Sequence, residues 1–167
     1  MDFYGTNIKN DVGVDADNQY DIGEIAKRIK VVYAVTFEGE SSSAQWGDLA
    51  EYYTCKNGGV GSVMCVSPND DYDLEECFEE LSQSSVGVIS AAPGYVMNRS
   101  LDGGLAVGLV GRLPVKIRGK IKKSDFIVCD TDGCARAGVD GEEQYSIGIC
   151  NKTKDTDEIA LVECIIN

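Results

Sequence analysis

Two carboxylates three residues apart, Asp48 and Glu51, are the groups in this chain best spaced for chemistry. They lie in Ser43-Ala44-Gln45-Trp46-Gly47-Asp48-Leu49-Ala50-Glu51-Tyr52-Tyr53, an aromatic and acidic cluster that holds the only tryptophan. On a turn or short helix, positions i and i+3 share a face. So placed, the pair reads in two ways. It is an N-cap aspartate with a glutamate at the third helical position, or an acid and a base with separated pKa values that assist hydrolysis of a nearby peptide bond. Other chemistry is poorly supplied. The 167 residues include no histidine, which removes Ser-His-Asp and Cys-His nucleophile arrangements.

Seven cysteines, Cys55, Cys65, Cys77, Cys129, Cys134, Cys150 and Cys164, contain no C-x-x-C pair. Most fall inside apolar runs such as Val63-Met64-Cys65-Val66, so they are read as reduced, small hydrophobic packing residues. A zinc site would have to gather four thiolates from scattered positions. Five carboxylates between Asp73 and Glu80 are read as a solvated acidic face rather than a metal site. Leu74, Cys77, Phe78 and Leu81 would share one face if that segment were helical, and an acidic loop is the other reading. Asp15-Ala16-Asp17-Asn18 is an Asx-rich turn without the glycine and closing glutamate of a calcium loop. Gly58-Gly59-Val60-Gly61 lacks the Lys-Ser/Thr and helix of a phosphate loop. No metal and no cofactor is expected.

The elements that must carry these groups are organised around Gly104 to Val128. Leu105 to Val110 is a nearly continuous apolar run, short enough for a strand buried on both faces, with Gly104 and Gly111 read as turn punctuation at its ends. Strict alternation follows. Leu113, Val115, Ile117 and Ile121 fall on one side, and Arg112, Lys116, Arg118, Lys120 and Lys122 on the other. A period of two sends one set to a core and the other to water or a partner. Pro114 cannot donate to a ladder, so this strand begins there or lies on an edge. Further short strands are expected over residues 61–67, 86–90, 126–129, 145–150 and 158–166, separated by Gly, Asn and Asp turns. The fold class is mainly β: an extended N-terminal arm with a short helical turn over residues 1–43, then a small antiparallel β-barrel or sandwich over residues 44–167.

Twenty-eight acidic against 15 basic residues give a net charge of −13, which argues against nucleic-acid binding. Six of the basic residues nevertheless fall between Arg112 and Lys123, as a solvated strand face or as a stripe that meets an acidic surface. No stretch approaches the ~18 apolar residues of a membrane helix. The start lacks a signal-peptide pattern, and a soluble, non-secreted product without membrane insertion is expected. The arm has too few apolar residues for a core of its own. Ile22, Ile25, Ile29, Val31, Tyr33 and Phe37 need a surface to bury against, and neighbouring chains of an intertwined homotrimer would supply one.

Asn18-Gln19-Tyr20-Asp21-Ile22-Gly23, followed by Lys27-Arg28-Ile29-Lys30-Val31-Val32-Tyr33-Ala34, resembles the N-x-Y-D-L-G … R-(aromatic) … V-Y-A segment near the C-terminus of many bacteriophage tail fibres, with Ile29 in place of the usual aromatic residue. Ser43 to Glu51 looks like the SAQ-aromatic-small-DLAE segment of the same proteins. Val86-Gly87-Val88-Ile89-Ser90, Pro93-Gly94-Tyr95-Val96-Met97-Asn98 and the alternating segment follow that family's final β-domain in order. The likeness runs from about Asp15 to Ile166. The resemblance implies a virion structural protein: the C-terminal, trimeric, distal module of a tail fibre or tail appendage, assembled in the host cytoplasm with other tail proteins. Related maturation domains act as intramolecular chaperones that promote trimerisation and then cut themselves off. Their D-x-x-E carboxylates correspond here to Asp48 and Glu51, with cleavage near Trp46-Gly47-Asp48. An enzyme beyond such single-turnover self-cleavage is not expected. A host-receptor-binding tip, with contacts from Asp70-Asp71-Tyr72-Asp73 or Gly94-Tyr95-Val96-Met97, is the other alternative.

Overall fold

In the computed structural model, which describes residues 47–167, the alternation of Leu113, Val115 and Ile117 becomes one strand, β6 (Leu105–Ile117), with those three side chains fully buried. Burial of side chains this size contributes roughly 1.5–3 kcal/mol each, enough to fix which face of β6 points inward. Ile121 continues the pattern beyond the strand and is also buried.

The apolar run and the alternating run are therefore not two strands divided at Gly111. The strand passes through Gly111, whose φ of +120° is one that residues with a Cβ rarely adopt. Two neighbours overlap at this point. β1 (Gly47–Tyr53) pairs antiparallel with the first half of β6, placing Asp48 opposite Gly111. β10 (Ala160–Ile166) pairs antiparallel with the second half, placing Ile166 opposite the same glycine. A Cβ at Gly111 would run into the Gly47 carbonyl oxygen. The expected turn is thus a kink inside a continuous strand, tolerated because glycine allows both the backbone angle and the close approach.

Pro114 sits within β6, opposite Glu163 of β10. Lys116, two residues on, donates its N–H to the Gly61 carbonyl at 2.8 Å, away from the β10 ladder. Backbone groups two residues apart point the same way, so the N–H that Pro114 lacks is on the side where no β10 bond is lost.

From β6 a five-stranded ring closes. β10 pairs with β9 (Ser146–Cys150), β9 with β7 (Phe126–Cys129), and β7 with β8 (Ala135–Ala137), all antiparallel. β8 returns to β6 by a parallel pairing at Ile117 and Ala135. Closure removes the open sheet edges that would otherwise need protection. Outside the ring, β4 (Ser85–Ile89) pairs with β6, β2 (Val63–Val66) with β4, and β3 (Leu74–Glu76) with β2. β5 (Tyr95–Met97) lies parallel to β1. The one helical element among the described residues is a 3-10 turn, Glu143–Tyr145. The β-barrel and the short strands read from the sequence are what the chain forms.

Two further readings are corrected. Residues 74–81 hold neither a helix nor only an acidic loop. Leu74–Glu76 is a strand, Phe78 is 55% exposed, and Leu81 has a positive φ of 55°. The helical spacing of Leu74, Cys77, Phe78 and Leu81 was coincidental, because ladder bonds to β2 outweigh a short propensity signal. The cysteines are not uniformly reduced either: Cys65 and Cys77 form a disulfide whose Cα atoms are 4.9 Å apart. The arm, its helical turn, its domain boundary at residue 43 and Ile22, Ile25, Ile29, Val31, Tyr33 and Phe37 lie outside the described residues.

Candidate functional site

β1 decides how Asp48 and Glu51 are presented. Its ladder to β6 is irregular only because β6 carries an extra residue, Leu109, between the partners of Leu49 and Ala50. β1 itself alternates evenly. Asp48 and Ala50 point inward and are buried, while Glu51 and Tyr53 share the opposite face. The Tyr53 hydroxyl donates to Glu51 Oε2 at 3.0 Å. Burial first, then that bond and the charge of Glu51, push the Tyr53 phenol above its ordinary value. The expectation of a helical turn that places both carboxylates on one side is therefore corrected. On a strand, residues three apart face opposite ways, so Asp48 and Glu51 form neither a capping pair nor a side-by-side dyad.

Asp48 is the unusual member. It is 3% exposed. Its Oδ1 accepts the Gly94 N–H at 3.3 Å, and the same N–H reaches the Asp48 carbonyl at 3.0 Å. Its Oδ2 is buried with no hydrogen-bond partner among the described residues. Gly108, opposite Ala50 on β6, makes room for it: a Cβ there would sit 3.1 Å from Asp48 Oδ2 and 2.8 Å from Leu113 Cδ1. Burying a carboxylate with an oxygen unpaired is costly. Asp48 is thus a buried carboxylate, one oxygen of which has no partner among the described residues. Nothing in the residue spacing could have separated it from Glu51, because the difference arises from which face of β1 meets β6.

Several of the other charged groups are paired locally. Lys116 Nζ donates to Ser62 Oγ at 2.6 Å and lies 3.5 Å from Glu76 Oε1. Arg118 bridges Asp130 at 2.8 Å and Asp132 at 3.0 Å, and Lys120 reaches Asp155 at 3.4 Å. Three residues of the basic stripe, Lys116, Arg118 and Lys120, thus meet acids of their own chain. The acidic segment 73–80 is similarly dispersed. Asp73 accepts from the Thr54 N–H and hydroxyl, bonds that hold its carboxyl below the ordinary value. Glu75 pairs with Lys56 at 2.7 Å and Glu80 with Arg136 at 3.3 Å. Carboxylates turned to separate partners do not converge on a cation.

Two features had no signal in the sequence. A groove of about 830 Å³ is lined by Tyr52, Ser90, Gly94, Tyr95, Arg99 and Leu105, among others. Ser90 Oγ is buried without a partner among the described residues, and Tyr95 is 66% exposed. Of the two loops considered for receptor contact, the one around Tyr95 borders this groove and Asp70 to Asp73 does not. The second feature is a cluster of buried sulfurs, in which Cys129 Sγ stands 4.0 Å from Cys77 Sγ of the disulfide. No local spacing announces it, since the three cysteines come from distant segments.

No family model and no curated protein matches the chain. Solved structures do match in fold. The pre-mature bacteriophage phi29 gene product 12 superposes with a TM-score of 0.56 at 16% identity, over 84% of this chain and 23% of that one. The bacteriophage phi29 gene product 12 C-terminal fragment superposes with a TM-score of 0.51 at 16% identity, over 72% of this chain and all of the fragment. The chain therefore spans about a quarter of the longer protein, and at this identity the likeness is one of fold. That fold agrees with the resemblance to phage fibre C-terminal domains read from the motifs.

Proposed function

We propose that this chain is a virion structural protein of a bacteriophage, acting as the C-terminal trimerisation and distal module of a tail fibre or appendage. The observation that carries the reading is the match to the whole of the gene product 12 C-terminal fragment. It is supported by the independent order of tail-fibre-like motifs along the sequence. The barrel's outer wall adds a physical reason for association. Ile165 of β10 stands directly opposite Ile149 of β9, they are 46% and 50% exposed, and Leu161 on the same face of β10 is 52% exposed. Apolar side chains grouped on a strand face gain from cover by sister copies. In this reading the partners are two further copies of the chain and other tail proteins, and the site of action is the virion, after assembly in the host cytoplasm. Antibodies raised against the barrel should decorate the tail of intact virions in electron micrographs. Decoration of the capsid alone, or of none of the particle, would overturn the tail assignment.

A second reading, self-cleavage near Trp46-Gly47-Asp48, is favoured by the buried Asp48 carboxylate with its unpaired oxygen. A longer precursor would then yield two bands, with Asp48→Asn abolishing the cut and Glu51→Gln slowing it. One uncut band that neither substitution changes would remove this alternative and leave the structural role intact.

A further inference from the structure

β9 and β10 run antiparallel with Cys150 directly opposite Cys164. At the next position Asn151 donates its N–H to the Glu163 carbonyl at 2.9 Å, so that pair carries the ladder bond. Antiparallel partners alternate between hydrogen-bonded and non-hydrogen-bonded pairs, and in the latter the Cα atoms approach to roughly 4.5 Å. Cys150 and Cys164 occupy such a pair. The N–H of Cys150 confirms the assignment, because it is directed to the other neighbour and donates to the Asp125 carbonyl at 2.8 Å.

Side chains of directly opposed residues lie on one face, and here that face is the barrel interior, with Cys150 1% and Cys164 0% exposed. Disulfides form across Cα separations of about 4.4–6.8 Å, so the backbone already meets the requirement without displacing either strand. The other three free thiols have different neighbours: Cys129 lies against Cys77, Cys134 lies 3.8 Å from an Arg118 nitrogen, and Cys55 donates to the Tyr53 carbonyl at 3.5 Å.

We propose that Cys150 and Cys164 are an oxidisable pair that forms a second disulfide, joining β9 to β10 through the barrel interior. In the reaction the two thiols lose two protons and two electrons as the S–S bond forms. One oxidised glutathione accepts them and leaves as two reduced glutathiones. The thiolate is the attacking species. Burial, then the neighbouring Cys150 thiol, push the Cys164 thiol far above its ordinary value in the finished barrel. Refolding, in which β10 is still open to solvent, is therefore the reaction that tests the pair.

The test is to refold the reduced full chain with oxidised glutathione, alkylate the remaining thiols, and combine an intact mass with a proteolytic peptide map. The expected result is three alkyl groups, on Cys55, Cys129 and Cys134, and four hydrogens lost to two disulfides, with Cys65 linked to Cys77 and Cys150 linked to Cys164. Cys150→Ser should restore two of those hydrogens and leave Cys164 alkylated. Should that variant fail to fold, the map of the unaltered chain still decides. Alkylation of both Cys150 and Cys164, a glutathione adduct on either, or linkage of Cys164 to another cysteine would overturn the proposal.

Discussion

At Gly108 the absence of a side chain makes space for two others. A methyl group there meets Leu113 Cδ1 at 2.8 Å and Asp48 Oδ2 at 3.1 Å, so the fully buried Leu113 must shift within the core to admit it. Gly108→Ala should therefore lower stability by about 1–3 kcal/mol, the usual range for overpacking a core, read as a lower urea midpoint at unchanged slope. A second residue-scale consequence concerns pH. Arg136 grips Glu142 through bonds of 2.8 and 3.0 Å, and the Val139 N–H adds a third at 3.0 Å. Together they depress the Glu142 carboxyl from 4.5 to about 2. A carboxyl depressed in the folded state contributes fully above its unfolded value and loses that contribution as pH falls through the folded one. Urea midpoints should fall as pH drops from 4.5 toward 2, and Glu142→Gln should flatten that part of the profile; an unchanged slope in the variant would count against the pair. Neither site was legible beforehand. Asp48 and Glu51 look equivalent in sequence, and only the register of β1 on β6 buries one of them.

Among the elements, what could be read was alternation. Leu113, Val115, Ile117 and Ile121 were assigned inward on their period of two, and all four are buried. What misled was punctuation. Gly111 suggests a turn to any local reading, yet its role is set by β1 and β10 meeting at one point of β6. Residues 74–81 misled in the opposite sense, since a helical spacing of apolar residues gave way to pairing with β2. The disulfide belongs to this scale too, because it ties β2 to the residue that follows β3. Its partners are 12 residues apart. Closing a loop of that size stabilises by about 3 kcal/mol in the chain-entropy account. Cys65→Ser with Cys77→Ser should unfold at a correspondingly lower denaturant concentration. An unshifted midpoint in that variant would mean the bond contributes nothing to this fold.

The ring as a whole was beyond local inference. Its closure depends on β6 meeting β8 at a single parallel pair and β10 along its second half, contacts between segments far apart in sequence. Mainly β content and Gly-bounded strands indicated a barrel or sandwich without saying which strand closes it. The outer wall then raises the question of association, because Ile149, Leu161 and Ile165 leave apolar surface on β9 and β10. Replacing Leu161 and Ile165 with aspartate should weaken association while sparing the interior, since both point outward. The most direct measurement is the molar mass of the intact 167-residue chain in solution by light scattering. The account predicts three times the chain mass, and a monomer at every concentration tested would contradict it.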